Sequence, residues 1–141
     1  MNLKYVLDAA THSDTGRVRS RNEDRVGEDL ALGAVALADG MGGHHGGDVA
    51  STLAVDTILR HLRATLSSIA PGEIDAATEY SKQSLAVRQA VFHANKTIYA
   101  AAEPQPKYRD MGTTLIAATF YDNLVSIANV RDSRMYRFRD N

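Results

Sequence analysis

An apolar run that ends in an aspartate-glycine pair is the feature that most constrains the fold of this chain. The apolar residues 33–38 lead directly into Asp39 and Gly40, and a glycine-rich loop follows at residues 41–48. A short continuous apolar run of this kind is typical of a buried strand, so the pattern predicts that Asp39 is held at the end of a strand, at the mouth of a sheet. The glycines would let the backbone turn sharply and leave room for a ligand close to the main chain.

Three interpretations of the glycine-rich loop compete: a metal site, a phosphate-binding nucleotide loop, and a plain turn between a strand and a helix. The nucleotide loop fails on detail, because no Gly-Lys-Ser/Thr follows and His45 stands where the last glycine of G-x-G-x-x-G belongs. The turn and the metal site both remain open from the loop alone.

A charged cluster precedes the apolar run. Within residues 19–24 the chain places Arg19, Arg21, Glu23 and Asp24, shortly after a strand-like stretch at residues 5–10. Adjacent carboxylates repel each other unless something positive joins them. A divalent cation is one answer, and pairing with the neighbouring arginines in a surface charge cluster is the other.

Composition limits the possible chemistry. The chain has no cysteine, which excludes a cysteine nucleophile, a thiolate zinc site and a disulfide scaffold. Oxygen and imidazole ligands remain, and oxygen ligands favour Mg²⁺ or Mn²⁺ over zinc or copper. The 141 residues, 44% of them hydrophobic, suffice for one core and one domain.

Charge and hydropathy give expectations about partners and compartment. Sixteen basic and seventeen acidic residues nearly cancel, so neither nucleic acid nor a membrane surface is expected as the main partner. A local basic patch does occur near the end of the sequence and consists of Arg131, Arg134, Arg137 and Arg139.

No secretory signal or membrane-length apolar run is visible, which predicts a cytoplasmic location.

Apolar periodicity predicts two helices followed by a strand meander. One helical stripe runs from Ala50 to Leu66, and a second runs from Val87 to Ala101 and stops before Pro104. The predicted strands are Thr113–Tyr121, Leu124–Val130 and Ser133–Phe138, with Asp122-Asn123 as a two-residue turn between the first two. This order of elements indicates an α+β fold.

Four motifs in sequence order resemble the metal-dependent protein phosphatases of type 2C, particularly their bacterial branch. The resemblance covers nearly the whole chain. The motifs are Gly-x-Val-Arg-x-x-Asn-Glu-Asp at residues 16–24, Ala-Asp-Gly-Met-Gly-Gly-His at 38–44 with Gly-Asp-Val-Ala-Ser at 47–51, Met-Gly-Thr-Thr-Leu at 111–115, and Asp132-Ser133-Arg134 with Tyr136.

The resemblance implies a fold and a reaction. The fold would be part of a four-layer sandwich, in which two antiparallel β-sheets are flanked by α-helices and the metal site lies between the sheets. The reaction would be the hydrolysis of phosphoserine and phosphothreonine in proteins by a metal-activated water. The ions would be two Mn²⁺ or Mg²⁺, with a third as a further expectation.

Roles for individual residues follow from the resemblance alone. Asp39 would be the central catalytic carboxylate that bridges two ions, Glu23 would bind one of them, and the carbonyl of Gly40 would help to bind the other. Asp24 would lie in or just outside the coordination sphere. Two more residues complete the expected set. Arg19 would bind the phosphate, although a salt bridge to Glu23 or Asp24 is its plain alternative, and Asp132 would hold a further metal, although by itself it is a turn residue.

The chain departs from the family pattern at three points. Met41 stands where many eukaryotic relatives carry a histidine that acts as general acid, which leaves His44 as a weak candidate. Arg131 stands where the family usually has glycine, and its charge should weaken metal capture at Asp132. Family members also continue further and supply two more aspartates, so residues 1–141 are expected to be the amino-terminal portion of one phosphatase domain, incomplete for catalysis.

Two other functions therefore stay open. One is a noncatalytic, phosphatase-derived module that binds a phosphoprotein, and the other is a structural domain that binds a divalent metal. An incomplete domain is also expected to self-associate through the exposed edge of the Ser133–Phe138 strand.

Overall fold

One antiparallel sheet, covered on one face by two helices, forms the part of the chain that the computed structural model describes, residues 6–42 and 46–139. The strand order is β1-β2-β4-β5, and β3 pairs with the end of β2. This architecture confirms the predicted α+β class and supplies one sheet and one helical layer of the expected sandwich. The elements are β1 (Asp24–Asp29), β2 (Ala34–Met41), α1 (Gly47–Leu66), α2 (Lys82–Ala102), a short helical turn (Pro106–Tyr108), β3 (Gly112–Thr113), β4 (Leu115–Tyr121) and β5 (Leu124–Val130).

The central strand β2 is longer and less buried than its sequence predicts. Its alanines face the helices and are buried, whereas Leu37 on the opposite face is 40% exposed. Gly40 and Met41 stay in the sheet because they pair with Thr113 and Gly112 of β3. Asp39 therefore lies inside the strand, and its predicted position at the strand end is wrong.

Small side chains on the sheet allow α1 to pack closely. A Cβ atom at Gly27 of β1 would lie 2.6 Å from Cγ1 of Val55 on α1, so a larger residue there would require side chains of α1 to move. Ile58 and Leu62 of α1 are completely buried, and burial of each such side chain contributes about 1.5–3 kcal/mol. The core consists of Ala34, Ala36, Ala38, Ala54, Val55, Ile58, Leu62, Ala86, Val87, Ala90, Ala94, Leu115 and Ala117.

Both predicted helices form. Ser81 caps α2, because its Oγ accepts a hydrogen bond from the backbone N–H of Ser84 at 3.1 Å, an interaction worth about 1 kcal/mol. The helix ends at Ala102, two residues before Pro104, which has no N–H to continue it. Neither helix, nor any other in the described part of the chain, is long and apolar enough to cross a lipid bilayer.

The predicted hairpin of β4 and β5 also forms, with Asp122 and Asn123 as its turn. All seven residues of β5 pair with β4 in antiparallel register. Residue 114 interrupts the strand predicted from Thr113, so β3 and β4 are separate elements.

Two strand predictions are wrong, and one strand is missed. Residues 6–10 form no strand and Val6 is 74% exposed, while Tyr5 lies outside the described residues. Residues 133–138 are irregular and mostly exposed, and no strand in the described part of the chain pairs with them. The missed strand is β1, whose charged sequence shows little apolar alternation and whose pairing is provided by β2.

Among the described residues the outer strands of the sheet are β1 and β5, and residues 133–138 form no edge strand. Within the described residues β5 pairs only with β4, and Leu124 and Ile127 are about half exposed. Self-association through a strand edge stays a prediction, with β5 as the edge concerned.

Candidate metal and phosphate site

A polar cleft forms beside the carboxylates of β1 and β2. Asp24 and Asp39 are directly opposite each other in the ladder. Both lie on the sheet face away from the helices, because side chains alternate along a strand and the neighbouring Ala38 and Gly40 are buried on the helical side. The cleft has a volume of about 170 Å³ and is lined by Asp14, Thr15, Arg19, Arg21, Asn22, Glu23, Asp24 and Asp39.

The cleft carries an excess of negative charge at Asp39. The pKa of its carboxyl group is raised above the ordinary value, first by partial burial and then by the negative charge of Asp24 and a hydrogen bond between the two carboxyl groups. The positive charge of Arg19 lowers the pKa of Asp39, and the negative charge of Asp132 raises it by a smaller amount. Arg19 and Asp132 are therefore both close enough to act electrostatically on Asp39.

Glu23 lines the same cleft, but its carboxylate lies over the start of α1. A Cβ atom on Gly47, the first residue of α1, would lie 2.7 Å from Cδ of Glu23. The helix N-terminus favours a negative charge at this place. The backbone carbonyl of Glu23 accepts hydrogen bonds from Gly40 N–H at 3.2 Å and from Ser51 Oγ at 2.6 Å, which tie β2 and α1 to the same residue.

Gly40 is required by this close approach of β2 to α1. A Cβ atom at Gly40 would lie 2.1 Å from the backbone oxygen of Gly47 and 2.8 Å from that of Glu23. No side chain can be accommodated at these distances without movement of the backbone. The glycine of the Asp-Gly pair therefore has a packing reason in addition to the carbonyl role that the resemblance implies.

Two threonines hold the backbone of Asp39, and a serine hydrogen-bonds to one of them. The N–H of Asp39 donates to Thr114 Oγ1 at 3.0 Å, and its carbonyl accepts from Thr113 Oγ1 and from Thr114 N–H, both at 2.9 Å. Ser133 Oγ donates to Thr114 Oγ1 at 2.7 Å, which anchors the residue next to Asp132. Thr113, Thr114 and Ser133 all lie in the sequence motifs, but the sequence analysis assigned them no role. The pair of threonines just before a predicted strand was the available signal.

A second set of hydrogen bonds holds Asp24. Ser13 Oγ donates to Asp24 Oδ2 at 3.0 Å, and Asn22 Nδ2 donates to Ser13 Oγ at 2.6 Å. The backbone N–H of Asp24 donates to Asn22 Oδ1 at 3.0 Å. Ser13 and Asn22 were not among the predicted site residues, and this local network fixes the orientation of the carboxylate.

The structure brings the predicted residues together only in part. Arg19, Glu23, Asp24 and Asp39 share the cleft, whereas the exposed Asp132 lies outside its lining. No group of three or more histidine, aspartate or glutamate side chains in residues 6–42 and 46–139 is arranged to hold a metal ion. His44 lies outside the described residues.

Comparison with known proteins identifies the family. Residues 12–141 match the profile of a family described as Protein phosphatase 2C. The chain belongs to the protein phosphatase 2C family. Its sequence is 40% identical over 138 residues to the serine/threonine protein phosphatase PstP of Mycobacterium tuberculosis, an alignment that covers 98% of this chain and 24% of PstP.

Two further comparisons agree with this assignment. Its sequence is also 36% identical over 140 residues to the serine/threonine phosphatase stp of Listeria welshimeri, an alignment that covers 96% of this chain and 51% of that protein. The crystal structure of the PstP catalytic domain in complex with two manganese ions matches with a TM-score of 0.67 and 35% identity, covering 87% of this chain and 47% of that one. The chain thus spans between about a quarter and about half of the length of these relatives.

Proposed function

We propose that this chain carries part of the active site of a metal-dependent protein phosphatase that hydrolyses phosphoserine and phosphothreonine in phosphoproteins. Residues 1–141 would form the amino-terminal portion of the phosphatase domain. The observation that carries the proposal is the placement of Asp24 directly opposite Asp39, in a cleft that Arg19 also lines.

The donors in the cleft suit a hard divalent cation. Asp24 and Asp39 offer carboxylate oxygens, and the pKa of Asp39 is raised first by partial burial and then by the negative charge of Asp24. A cation between them would relieve the repulsion between the two carboxylates, and Mg²⁺ and Mn²⁺ both accept such oxygen ligands. Asp24, Asp39, Glu23 and the carbonyl of Gly40 would hold the two ions, and Asp132 would hold a third.

The metal ions, when bound, would supply Lewis acidity that activates water and neutralises phosphate charge. The other roles belong to residues of the chain. Arg19 would bind two phosphate oxygens through its planar guanidinium and so orient the ester. Thr113 and Thr114 would keep Asp39 in place while the ligands bind, since they hold both its N–H and its carbonyl.

Metal titration of the 141-residue chain tests the proposal. Calorimetry with MnCl₂ should detect binding, and Asp39→Asn should weaken it at least tenfold, because the variant loses the central carboxylate. Asp56→Asn is the matched control, since Asp56 is an exposed aspartate on α1 outside the cleft. Equal affinities for the Asp39 variant and the parent would place the metal elsewhere and contradict the proposal.

Phosphate binding is tested separately. In a version of the chain extended by the rest of the phosphatase domain, Arg19→Ala should reduce manganese-dependent turnover of an aryl phosphate while leaving Mn²⁺ affinity within about twofold. Arg25→Ala serves as the control, because Arg25 is an exposed arginine of β1 that does not line the cleft. Unchanged turnover in the Arg19 variant would remove Arg19 from the site.

A noncatalytic phosphoprotein-binding module is the second candidate. It is favoured by one observation, the lack of any cluster of three or more acidic or histidine donors among the described residues. Binding of a phosphopeptide that depends on Arg19, without any metal-dependent turnover, would support this candidate over the enzyme.

A further inference from the structure

Arg131 has a backbone conformation that side-chain-bearing residues rarely adopt. It follows directly after β5 with φ of +74°, in the left-handed region that favours glycine. Such a conformation costs about 1–3 kcal/mol and is often found at functional sites. The cost suggests a role for the side chain that glycine could not supply.

The guanidinium of Arg131 lies against sulfur rather than against a carboxylate. Its Nη1 is 2.8 Å from Sδ of Met41, and the residue is exposed. The ion pairs among the described residues are Arg63 with Asp29 and Lys82 with Glu73, so Arg131 takes part in neither. Because thioether sulfur is a weak acceptor, most of the donor capacity of this guanidinium remains available to a ligand.

Met41 places this guanidinium close to the candidate site. Met41 and Asp39 are two residues apart on β2 and therefore lie on the same sheet face, about 7 Å apart along the strand. The cleft with Arg19 lies on the β1 side of β2, whereas Arg131 comes from the end of β5 on the other side. Arg19 thus lies beside Asp39 on one side of β2, and Arg131 lies beside Met41, two residues further along the strand.

We propose that Arg131 binds a carboxylate next to the phosphorylated residue, so that the site prefers phosphopeptides with acidic flanking residues. An extended peptide advances about 3.3 Å per residue, so a side chain one or two positions from a phosphate held by Arg19 would reach Met41. The planar guanidinium suits bidentate pairing with a carboxylate. This inference rests on the proposed phosphate site at Arg19 and Asp39.

Two peptides test the preference. Each carries a non-hydrolysable phosphonate analogue of phosphothreonine and a fluorophore. One peptide has glutamate, and the other glutamine, at the two positions before and the two positions after the analogue. Fluorescence anisotropy with the 141-residue chain in MgCl₂ gives the two dissociation constants. The glutamate peptide should bind about threefold to fivefold more tightly, the size expected for an exposed ion pair.

Substitutions at residue 131 then assign the preference. Arg131→Gln should bring the ratio of the two dissociation constants to about one, and Arg131→Lys should keep part of it. Arg134→Gln is the matched control, because Arg134 is an exposed arginine of the same segment whose Nη1 lies near the hydroxyl of Tyr136, and the ratio should persist in this variant. Circular dichroism verifies that each variant is folded.

Each outcome decides one of the two proposals or both. A ratio of one in the parent chain, a ratio that persists in Arg131→Gln, or an equal loss in Arg134→Gln would overturn the role of Arg131. In the same assay Arg19→Ala should weaken binding of the glutamine peptide. If that peptide binds equally well without Arg19, the proposed function fails, and if neither peptide binds at millimolar concentration, both fail.

Discussion

Asp24 and Asp39 face each other directly across the ladder of β1 and β2, on the sheet face that the helices leave open. Like charges at directly opposed positions destabilise an antiparallel pair. Partial burial raises the pKa of Asp39 most, and the negative charge of Asp24 raises it further. The folded chain therefore keeps an unfavourable pair at the place where the proposed metal would make it favourable.

Asp24→Asn should stabilise the metal-free chain while weakening Mn²⁺ binding. Removal of one charge relieves the cross-strand repulsion and should raise the free energy of unfolding by about 0.5 kcal/mol. The asparagine can still accept the hydrogen bond from Ser13. Urea denaturation in EDTA measures the gain, and Glu28→Gln is the control because Glu28 lies opposite the apolar Val35. A loss of stability would show that the pair is not strained.

Gly40→Ala should be strongly destabilising, whereas Gly112→Ala should be tolerated. The new Cβ at residue 40 would overlap the backbone of Gly47, and overpacking of this kind costs about 3 kcal/mol or more. At Gly112, in the paired strand, a Cβ would lie 3.6 Å from Cγ of Met41, which is an ordinary contact. Thermal denaturation of both variants provides the comparison. Equal melting temperatures would contradict the close approach of β2 to α1.

Thr114→Val should destabilise the backbone around Asp39 without creating a cavity in the core. Valine keeps the buried volume but removes the oxygen that accepts from Asp39 N–H and from Ser133, and a buried donor left without a partner costs about 1–3 kcal/mol. Amide exchange at Asp39 should accelerate in Thr114→Val and stay slow in Thr114→Ser, which retains the hydroxyl. Similar exchange in the two variants would exclude the hydroxyl as the anchor.

Arg131→Gly should be more stable than Arg131→Ala by about 1 kcal/mol. Both substitutions remove the guanidinium, but only glycine adopts a positive φ without steric cost. Comparison of the two in urea therefore isolates the backbone strain at residue 131. If alanine is as stable as glycine, the left-handed conformation at this position carries no measurable strain.

Stability should fall as the pH drops below about 6.5, because of His61 on α1. Burial and the nearby charge of His93, whose ring centroid is 4.7 Å away, lower the pKa of His61 from its ordinary value. The unfolded chain then binds a proton more readily than the folded chain, so stability is fully present above pH 6.5 and decreases as the pH falls toward the pKa of the folded state. The buried Nε2 of His61 has no hydrogen-bond partner among the described residues that would stabilise a proton there.

Urea unfolding between about pH 5 and pH 7.5 measures this dependence. His93→Gln should reduce it, because the repulsive partner is removed, and His12→Gln should leave it unchanged, because His12 is exposed outside the helices. A pH dependence that is identical in the parent and in His93→Gln would exclude repulsion between the two rings.

Local patterns in the sequence predict the helices and the hairpin turn, and the lack of cysteine limits the proposed site to oxygen and imidazole donors. The apolar stripes placed α1 and α2, Pro104 marked the end of α2, and Asp122-Asn123 marked the turn of the hairpin, all through interactions between residues close in sequence. The motif at residues 16–24 and the Asp-Gly pair located the cleft. These elements can be predicted from the sequence because a helical period, a proline or a turn residue affects the backbone only of residues a few positions away.

Contacts between distant segments fix how these elements pack together. β1 is a strand because β2 pairs with it, and β2 continues past Asp39 because β3 supplies partners more than 70 residues away in sequence. The same distant contacts place Glu23 over α1 and join Ser133 to Thr114, while no strand in the described part of the chain pairs with residues 133–138. Strand pairing and its register depend on hydrogen bonds between segments far apart in sequence, so no local pattern of residues fixes them.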